Sequence, residues 1–272
     1  MVAVGVGGYA SGATLYECAK MGIPCLIQEQ NSYAGVTNKL LANRAKKICV
    51  AYEGMERFFP SDRIIMTGNP VRQNILETEV SSQEARRAFG LDPEKKTVLI
   101  VGGSLGARTM NRSVLEHLDV LKAHPEVQFI WQTGKYYYDS IQQSMRGKEL
   151  PNLKVMDFVS DMGAAYRAAD LVVSRAGASS ISEFQLIGKP VILVPSPNVA
   201  EDHQRKNAMA LVNHAAALYV EDAAAPEKLL DLALQTVADD AKLHQLGENV
   251  RKMGIKDSAD IIAKEVMKLI NQ

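Results

Sequence analysis

The sequence predicts an α/β protein with two doubly wound parallel sheets. Short β-branched, apolar segments alternate with helical segments along the 272 residues, which is the pattern of parallel β-α-β units. Glycine-rich turns follow several of these strands, and a polar segment at residues 77–84 interrupts the apolar pattern. A chain of this length suits two domains. We therefore expect one domain at residues 1–76 and a second at residues 77–272.

The amino-acid composition excludes several classes of protein. The 31 basic and 31 acidic residues cancel, so no net charge favours binding to nucleic acid. The three cysteines, Cys18, Cys25 and Cys49, lack the spacing of a zinc site or a disulfide framework. No apolar segment approaches the roughly 20 residues of a membrane span, and no signal peptide follows Met1. We expect a protein of a reducing cytoplasm that is neither exported nor integral to a membrane.

The first domain contains four predicted strands. A glycine-rich loop at residues 7–12 separates the first strand from a helix, and Pro70 ends the pattern after the fourth strand. The predicted strands span residues 2–6, 23–28, 47–50 and 63–66, and the predicted helices span residues 13–20, 36–45 and 53–58. Four strands would leave an apolar edge unpaired at the first of them. We therefore expect this domain to be incomplete at its amino end.

The second domain contains six predicted strands that alternate cleanly with helices. The strands span residues 97–101, 127–132, 153–156, 171–173, 191–194 and 217–220. The helices span residues 82–89, 107–121, 137–145, 162–168 and 203–213, with one more after Ser174 and two or three between residues 226 and 270. We expect the last helix, near residues 257–270, to pack back on the first domain.

The segment from Ser174 to Glu183 is the strongest candidate for a binding site. It reads S-R-A-G-A-S-S-I-S-E, follows a buried strand and opens a helix. Its small residues leave the first helical N–H groups open to an anion such as a phosphate. Glu183 can accept hydrogen bonds from two neighbouring hydroxyls, such as the diol of a ribose. Alternatively, Ser179 or Ser180 caps the helix and Glu183 interacts with its dipole.

A second glycine-rich loop, Gly102–Gly106, also lies between a strand and a helix. It lacks the dinucleotide-binding pattern and the lysine of a P-loop. Its backbone can still let a phosphate approach, with Ser104 adding a hydroxyl. Alternatively, the glycines serve only the close packing of helix on sheet.

Polar residues near the domain junction are further candidates. Arg72 either reaches a pyrophosphate in the cleft or is a solvated surface cation. Gln204 and Asn207 share a helix face, and their amides suit sugar hydroxyls. His203 is either a base or a capping residue. Because the sequence has no nucleophile elbow, triad order, zinc spacing or acidic metal cluster, direct displacement is the chemistry that remains.

Together these motifs resemble the MurG family, the undecaprenyldiphospho-muramoylpentapeptide N-acetylglucosaminyltransferases of bacterial peptidoglycan synthesis. The shared motifs are Gly7–Gly12, Gln28–Asn31, Ala34–Lys39, Gly68–Arg72, Gly102–Ala107 and Ser174–Glu183, and the resemblance runs from Val2 to the carboxyl terminus. It implies a GT-B fold, with two Rossmann-like domains and a donor cleft between them. The amino-terminal domain would be incomplete, and the carboxyl-terminal domain would hold UDP-N-acetylglucosamine.

The resemblance also implies roles for individual residues. Glu183 would hold the ribose diol, Val159 would meet the uracil through its backbone, and Arg72 would close on the nucleotide. Gln204 and Asn207 would read the sugar hydroxyls. The residues implied around the diphosphate are Ser104, Ala178, Ser179, Ser180, Ile181 and Ser182. On the amino-terminal side, Asn31 and Asn38 would help position donor or acceptor, and Gly7 and Gly8 would approach the acceptor pyrophosphate.

The implied reaction moves N-acetylglucosamine onto the C4 hydroxyl of a lipid-linked N-acetylmuramoyl-pentapeptide with inversion, without a metal or other cofactor. Family members open with a glycine-rich loop that carries a histidine, and no such loop precedes Val2, so no catalytic residue is assigned. The alternatives are a UDP-sugar-binding module without transferase activity and a nucleotide-sugar epimerase on the same fold.

The resemblance further implies a peripheral protein on the cytoplasmic face of the bacterial plasma membrane. The family's membrane contact is an apolar patch with a basic rim in the amino-terminal domain. Part of that rim would be formed by Lys20, Lys39, Arg44, Lys46 and Lys47. The same cations alternatively form a solvated face.

Overall fold

A computed structural model describes residues 1–270 and contains two parallel β-sheets flanked by helices. The first sheet consists of β1 (Ala3–Gly5), β2 (Cys25–Glu29), β3 (Lys47–Val50) and β4 (Ile64–Met66), side by side in chain order. The helices in this part of the chain are α1 (Gly8–Lys20), α2 (Val36–Leu41) and α3 (Gln73–Leu76).

The second sheet has six parallel strands. They are β5 (Lys96–Val101), β6 (Val127–Gln132), β7 (Leu153–Met156), β8 (Leu171–Ser174), β9 (Val191–Leu193) and β10 (Leu218–Tyr219), in the order β10-β9-β8-β5-β6-β7. The helices are α4 (Ser82–Ala88), α5 (Arg108–Leu115), α6 (Leu118–Ala123), α7 (Lys135–Met145), α8 (Met162–Ala168), α9 (Ala178–Ile187), α10 (His203–Val212), α11 (Ala225–Ala238), α12 (Asp240–Lys252) and α13 (Ser258–Ile270). The strand order reverses between β5 and β8, where doubly wound sheets bind ligands. The predicted α/β class is confirmed.

Some predicted elements have different bounds. The predicted helix at residues 107–121 is two helices, α5 and α6, because the backbone of His117 is not helical. The predicted glycine loop at residues 7–12 is mostly the start of α1, with positive φ angles at Gly7 and Gly8 only. Residues 53–58 form no α-helix, only the short 3₁₀ turn Met55–Arg57.

The second sheet is buried on both faces. Val98, Ile100 and Val173 belong to the apolar cluster on one face, whereas Leu99 and Val172 belong to the cluster on the other. This alternation explains why its strands read as continuous apolar runs. The sheet is therefore a rigid support for the loops at its carboxyl edge.

The final helix, α13, returns to the first sheet. Leu269 is buried with Leu26 and Cys49, and Ile262 and Val266 pack against the same cluster. The exact division of the chain at residue 77 stays a prediction. Within residues 1–270, no helix combines the length and the apolar character that crossing a bilayer requires.

Candidate functional site

A cleft of about 1040 Å³ lies at the carboxyl edge of the second sheet, at the reversal of strand order. Its walls include the Gly102–Gly106 loop after β5, the first turn of α9 after β8, and Arg72 from the segment between the sheets. A Cβ at Gly106 would lie 2.0 Å from the Thr133 carbonyl oxygen, so only glycine lets this loop approach β6 so closely. The cleft thus lies where a ligand is expected in such a sheet.

The first turn of α9 offers backbone donors to this cleft. The helix begins after Gly177, and its first internal hydrogen bond runs from the Ile181 N–H to the Gly177 carbonyl at 3.0 Å. The N–H groups of Ala178, Ser179 and Ser180 precede that bond and have no helical acceptor. The N-cap residue of the helix is Gly177, and no side chain in the described part of the chain caps the helix. The alternative that a serine caps it is therefore wrong. An anion can bind to these donors and to the positive end of the helix dipole.

Glu183 lies in the cleft wall and is only 6% exposed. Its Oε1 accepts a hydrogen bond from Arg72 Nη2 at 3.2 Å, and its Oε2 accepts one from the Tyr166 hydroxyl at 2.7 Å. Burial, reinforced by the Glu183 charge, raises the pKa of Tyr166, so the phenol stays protonated and donates. The Arg72 side chain is 61% exposed. Tyr166 is therefore the fixed partner of Glu183, and Arg72 is the exchangeable one.

Gln204 fixes two loops and still faces the cleft. Its Oε1 accepts hydrogen bonds from the N–H groups of Ala176 at 3.2 Å and Ser196 at 2.9 Å. These residues follow β8 and β9, so one side chain holds both turns in place. Within the described residues, no acceptor takes the Nε2–H groups of Gln204, which lines the cleft. They are available to an oxygen atom of a ligand.

An ion pair in the cleft wall was not predicted from the sequence. The Arg175 guanidinium pairs with the Asp222 carboxylate and also donates to the Val194 carbonyl at 3.0 Å. Asp222 accepts a second hydrogen bond from the Thr109 hydroxyl at 2.9 Å. The pair joins the loops after β8, β9 and β10. Arg175 lies inside the S-R-A-G motif, which was the available signal, whereas Tyr166 and Asp222 had none.

The predicted site residues do not all lie in one place. Those that line the cleft are Arg72, Ser104, Val159, Ser179, Ser180, Glu183 and Gln204. Two residues of the α9 motif lie behind it: the Ile181 side chain is fully buried in the core, and the Ser182 hydroxyl accepts from Asn69 Nδ2 at 3.0 Å. The Ala178 side chain does not line the cleft, although its N–H belongs to the free donors.

Asn207 bridges the two sheets instead of facing the cleft. It is 1% exposed, its Oδ1 accepts from the Ser32 N–H at 2.9 Å, and its Nδ2 donates to Asn31 Oδ1 at 3.0 Å. The structure therefore does not bring Asn207 together with Gln204 on the cleft surface, although both lie on α10.

The remaining predicted residues surround a smaller cavity of about 280 Å³ at the amino end of α1. Gly7, Gly8, Asn31 and Asn38 line it, together with His203. The loop between β2 and α2 is held by the buried Glu29 carboxylate. This carboxylate accepts from the Asn31 N–H at 3.0 Å, the Gly35 N–H at 2.9 Å and Asn38 Nδ2 at 2.8 Å. We refer to this space as the acceptor-side cavity.

Comparison with known proteins decides the family. Residues 97–262 match the glycosyltransferase family 28 C-terminal domain, and residues 1–50 match the N-terminal domain of the same family. The chain belongs to glycosyltransferase family 28. This family 28 chain is 64% identical over 269 residues to a protein of Bacteroides thetaiotaomicron, with 98% of the chain and 72% of the relative covered. That relative is named UDP-N-acetylglucosamine--N-acetylmuramyl-(pentapeptide) pyrophosphoryl-undecaprenol N-acetylglucosamine transferase.

Solved structures agree with this assignment. The family 28 chain is similar to the crystal structure of Acinetobacter baumannii MurG, with a TM-score of 0.78, 29% identity, and coverage of 97% of this chain and 74% of that one. The predicted resemblance and GT-B fold are thereby confirmed. A UDP-GlcNAc 2-epimerase of Neisseria meningitidis, bound to UDP-GlcNAc, has a TM-score of 0.72 at 15% identity, over 98% of this chain and 76% of that one. At that identity, the likeness is one of fold alone.

Proposed function

We propose that this family 28 chain is a glycosyltransferase that moves N-acetylglucosamine from UDP-N-acetylglucosamine onto undecaprenyl-pyrophosphoryl-N-acetylmuramyl-pentapeptide. The observation that carries the proposal is the pairing, in one cleft, of three free N–H groups with a buried carboxylate. The carboxylate of Glu183 lies about one and a half helical turns from these donors. A nucleoside diphosphate has a diol and two phosphates to match them. Relatives at 50–64% identity carry this transferase name.

In this proposal, α9 holds the donor. Its first N–H groups and the Ser104 hydroxyl bind the diphosphate, and the ribose diol donates to Glu183 in exchange for the exposed Arg72. The uracil lies against the backbone of Val159. The Nε2 donors of Gln204 meet a hydroxyl of the sugar. Asn207 joins this contact only when its bridge to Asn31 opens.

The chemistry is a single inverting displacement. The C4 hydroxyl of the acceptor attacks the anomeric carbon of N-acetylglucosamine on the face opposite the diphosphate, and its proton passes to solvent water as the new bond forms. The bond from that carbon to the diphosphate oxygen breaks, and UDP leaves with the electron pair. Backbone donors at the start of α9 stabilise the negative charge that develops there. We propose that this stabilisation serves in place of a metal ion.

We also propose that the first domain contacts the cytoplasmic surface of the plasma membrane. Tyr9, Met21 and Leu40 are between 74% and 94% exposed on or beside α1 and α2. Arg44 lies over the Tyr16 ring at 4.4 Å, and Lys20 lies over the same ring at 5.6 Å. Lys39 of the predicted basic rim instead pairs with Glu201. Apolar side chains next to cations suit an anionic lipid surface. A lipid-linked acceptor requires such a surface.

The deciding experiment uses labelled UDP-N-acetylglucosamine and the lipid-linked acceptor in vesicles. We expect a lipid-linked disaccharide and UDP in equal amounts, and none from vesicles without acceptor. Donor binding without transfer would instead support a binding module. Release of free or epimerised sugar would support an epimerase, and either result would overturn the proposal.

A further inference from the structure

A second cavity, of about 850 Å³, lies between the two domains, and none of the donor-binding residues described above lines it. From the first domain it is lined by residues at the carboxyl ends of strands, among them Ser32 after β2, Tyr52 after β3 and Met66 in β4. From the second domain it is lined by α9, α10 and the end of α12. Its volume is that of a ligand pocket, which is typically about 300–1,000 Å³. We call it the junction cavity.

Two buried polar groups at the junction cavity lack partners. Gln185, on α9, is 7% exposed, and within residues 1–270 no group hydrogen-bonds its side-chain amide. Tyr52 is also 7% exposed, and its hydroxyl has no partner in the same part of the chain. Among the described residues, the Tyr52 hydroxyl is enclosed without a partner, whereas the Gln185 amide borders the cavity with its hydrogen-bonding capacity unused, so the amide is the group that a ligand in the cavity would bind. An amide that both donates and accepts matches a peptide group.

The charged side chains that line the junction cavity favour an anionic ligand. Arg57, Lys206 and Lys252 line the junction cavity, whereas Glu53 is the only carboxylate in the described lining. Thioether and aliphatic side chains, Met209, Met253 and Ile255, complete the wall. Cations, a free amide and small apolar surfaces together fit a short peptide with a free carboxylate.

One loop borders both the junction cavity and the acceptor-side cavity. Asn31 lines the acceptor-side cavity, and the next two residues, Ser32 and Tyr33, line the junction cavity. Arg57 Nη2 donates to the Ser32 carbonyl at 2.8 Å, which fixes the loop from the junction side. Within the described chain the two cavities have no lining residue in common, so this loop is what places them next to each other.

We propose that the junction cavity binds the peptide of the acceptor, with its terminal carboxylate toward Lys252 and a peptide group on Gln185. This inference rests on the proposed function, since the acceptor in the relatives' names carries a pentapeptide. A separate short peptide has the same chemistry and would be the other source. A bound peptide would contact residues of both domains, so its binding also favours one arrangement of the two domains.

Binding is tested by calorimetry with three probes: N-acetylmuramyl-pentapeptide without its lipid diphosphate, the free pentapeptide and N-acetylmuramic acid. We expect the first probe to bind at least tenfold more tightly than N-acetylmuramic acid. Lys252→Met and Gln185→Met should weaken it by roughly five- to tenfold, since each removes one hydrogen-bonded contact. Lys256→Met, at an exposed lysine outside the cavity, is the matched control and should change nothing. Equal binding by all variants would overturn the site.

A transfer assay distinguishes a failure of the peptide site from a failure of the proposed transferase function. Acceptors with and without the pentapeptide are compared, and we expect a higher KM for the stripped acceptor in the unaltered chain only. Transfer at equal KM to both acceptors would refute the acceptor's peptide as the occupant of the junction cavity while leaving the transferase intact. Absence of transfer to either would refute the proposed function, and the calorimetry would still decide the site. If the free and the muramyl-linked pentapeptides bind equally, and KM is the same for both acceptors, the bound peptide is a separate molecule. That result would overturn the proposal that the acceptor supplies it.

Discussion

Replacement of Glu183 by alanine tests the donor site directly. The side chain is 6% exposed, so its loss removes a desolvated charge that no water can fully replace. A hydrogen bond to a charged group contributes about 1.5–3 kcal/mol. From this we subtract up to about 1 kcal/mol for the exposed Arg72 ion pair that the ribose displaces. We expect UDP-N-acetylglucosamine binding to weaken by about 0.5–2 kcal/mol, or roughly 2- to 30-fold in Kd.

Calorimetry with UDP-N-acetylglucosamine and its 2′-deoxy analogue measures this loss and its cause. The unaltered chain should prefer the ribose form, and Glu183→Ala should bind both forms alike. Glu227→Ala, at an exposed glutamate of α11, is the matched control. Because the alanine leaves the buried Tyr166 hydroxyl without its acceptor, Glu183→Gln serves as a second variant that keeps an oxygen there. Unchanged affinity in both variants would refute the role of Glu183.

Two further predictions concern single side chains. Tyr166→Phe removes the fixed donor to Glu183, so we expect KM for the donor to rise roughly fivefold with kcat unchanged, and the preference for ribose over 2′-deoxyribose to fall. A lower kcat at constant KM would contradict this positioning role. Burial lowers the pKa of Lys189 from 10.5 to about 8, so the folded chain releases its proton at a lower pH than the unfolded chain does. The unfolded state then binds more protons between about pH 8 and 10, and the free energy of unfolding in urea should rise with pH there. Lys189→Met should remove that slope, and a slope that persists in the variant would assign it to other groups.

The sequence predicts the donor half of the site because that half is local. A strand, a bend at Gly177, small residues and Glu183 follow one another within ten residues, so one helix start is enough to bring them together. The same holds for the second sheet, whose apolar runs are continuous because both faces are buried. Residue type and spacing therefore suffice to predict a site whose residues are close together in the sequence.

The rest depends on contacts between distant segments. Asn207 was predicted to read a sugar from its position on α10, but it bonds the Ser32 N–H, 175 residues away. Tyr166 reaches Glu183 only because α8 packs beside α9, and a tyrosine on a helix gives no sign of that contact. The break at His117 is likewise invisible in the apolar pattern, which continues through it into α6. Tertiary packing decided each of these.

The two ends of the domain junction differ in a way that bears on donor binding. At one end, Leu269 and its neighbours on α13 are packed on the first sheet through apolar contacts. At the other end, α9 meets the first domain through hydrogen bonds from Asn69 to Ser182 and from Arg72 to Glu183, and Ile75 joins the apolar cluster of Ile181 and Phe184. Polar contacts can be exchanged for contacts to a ligand or to water, whereas buried apolar area cannot be exposed without loss. A donor that takes the carboxylate of Glu183 therefore replaces an exchangeable polar contact between the domains, while the apolar contacts at α13 and Ile75 are kept.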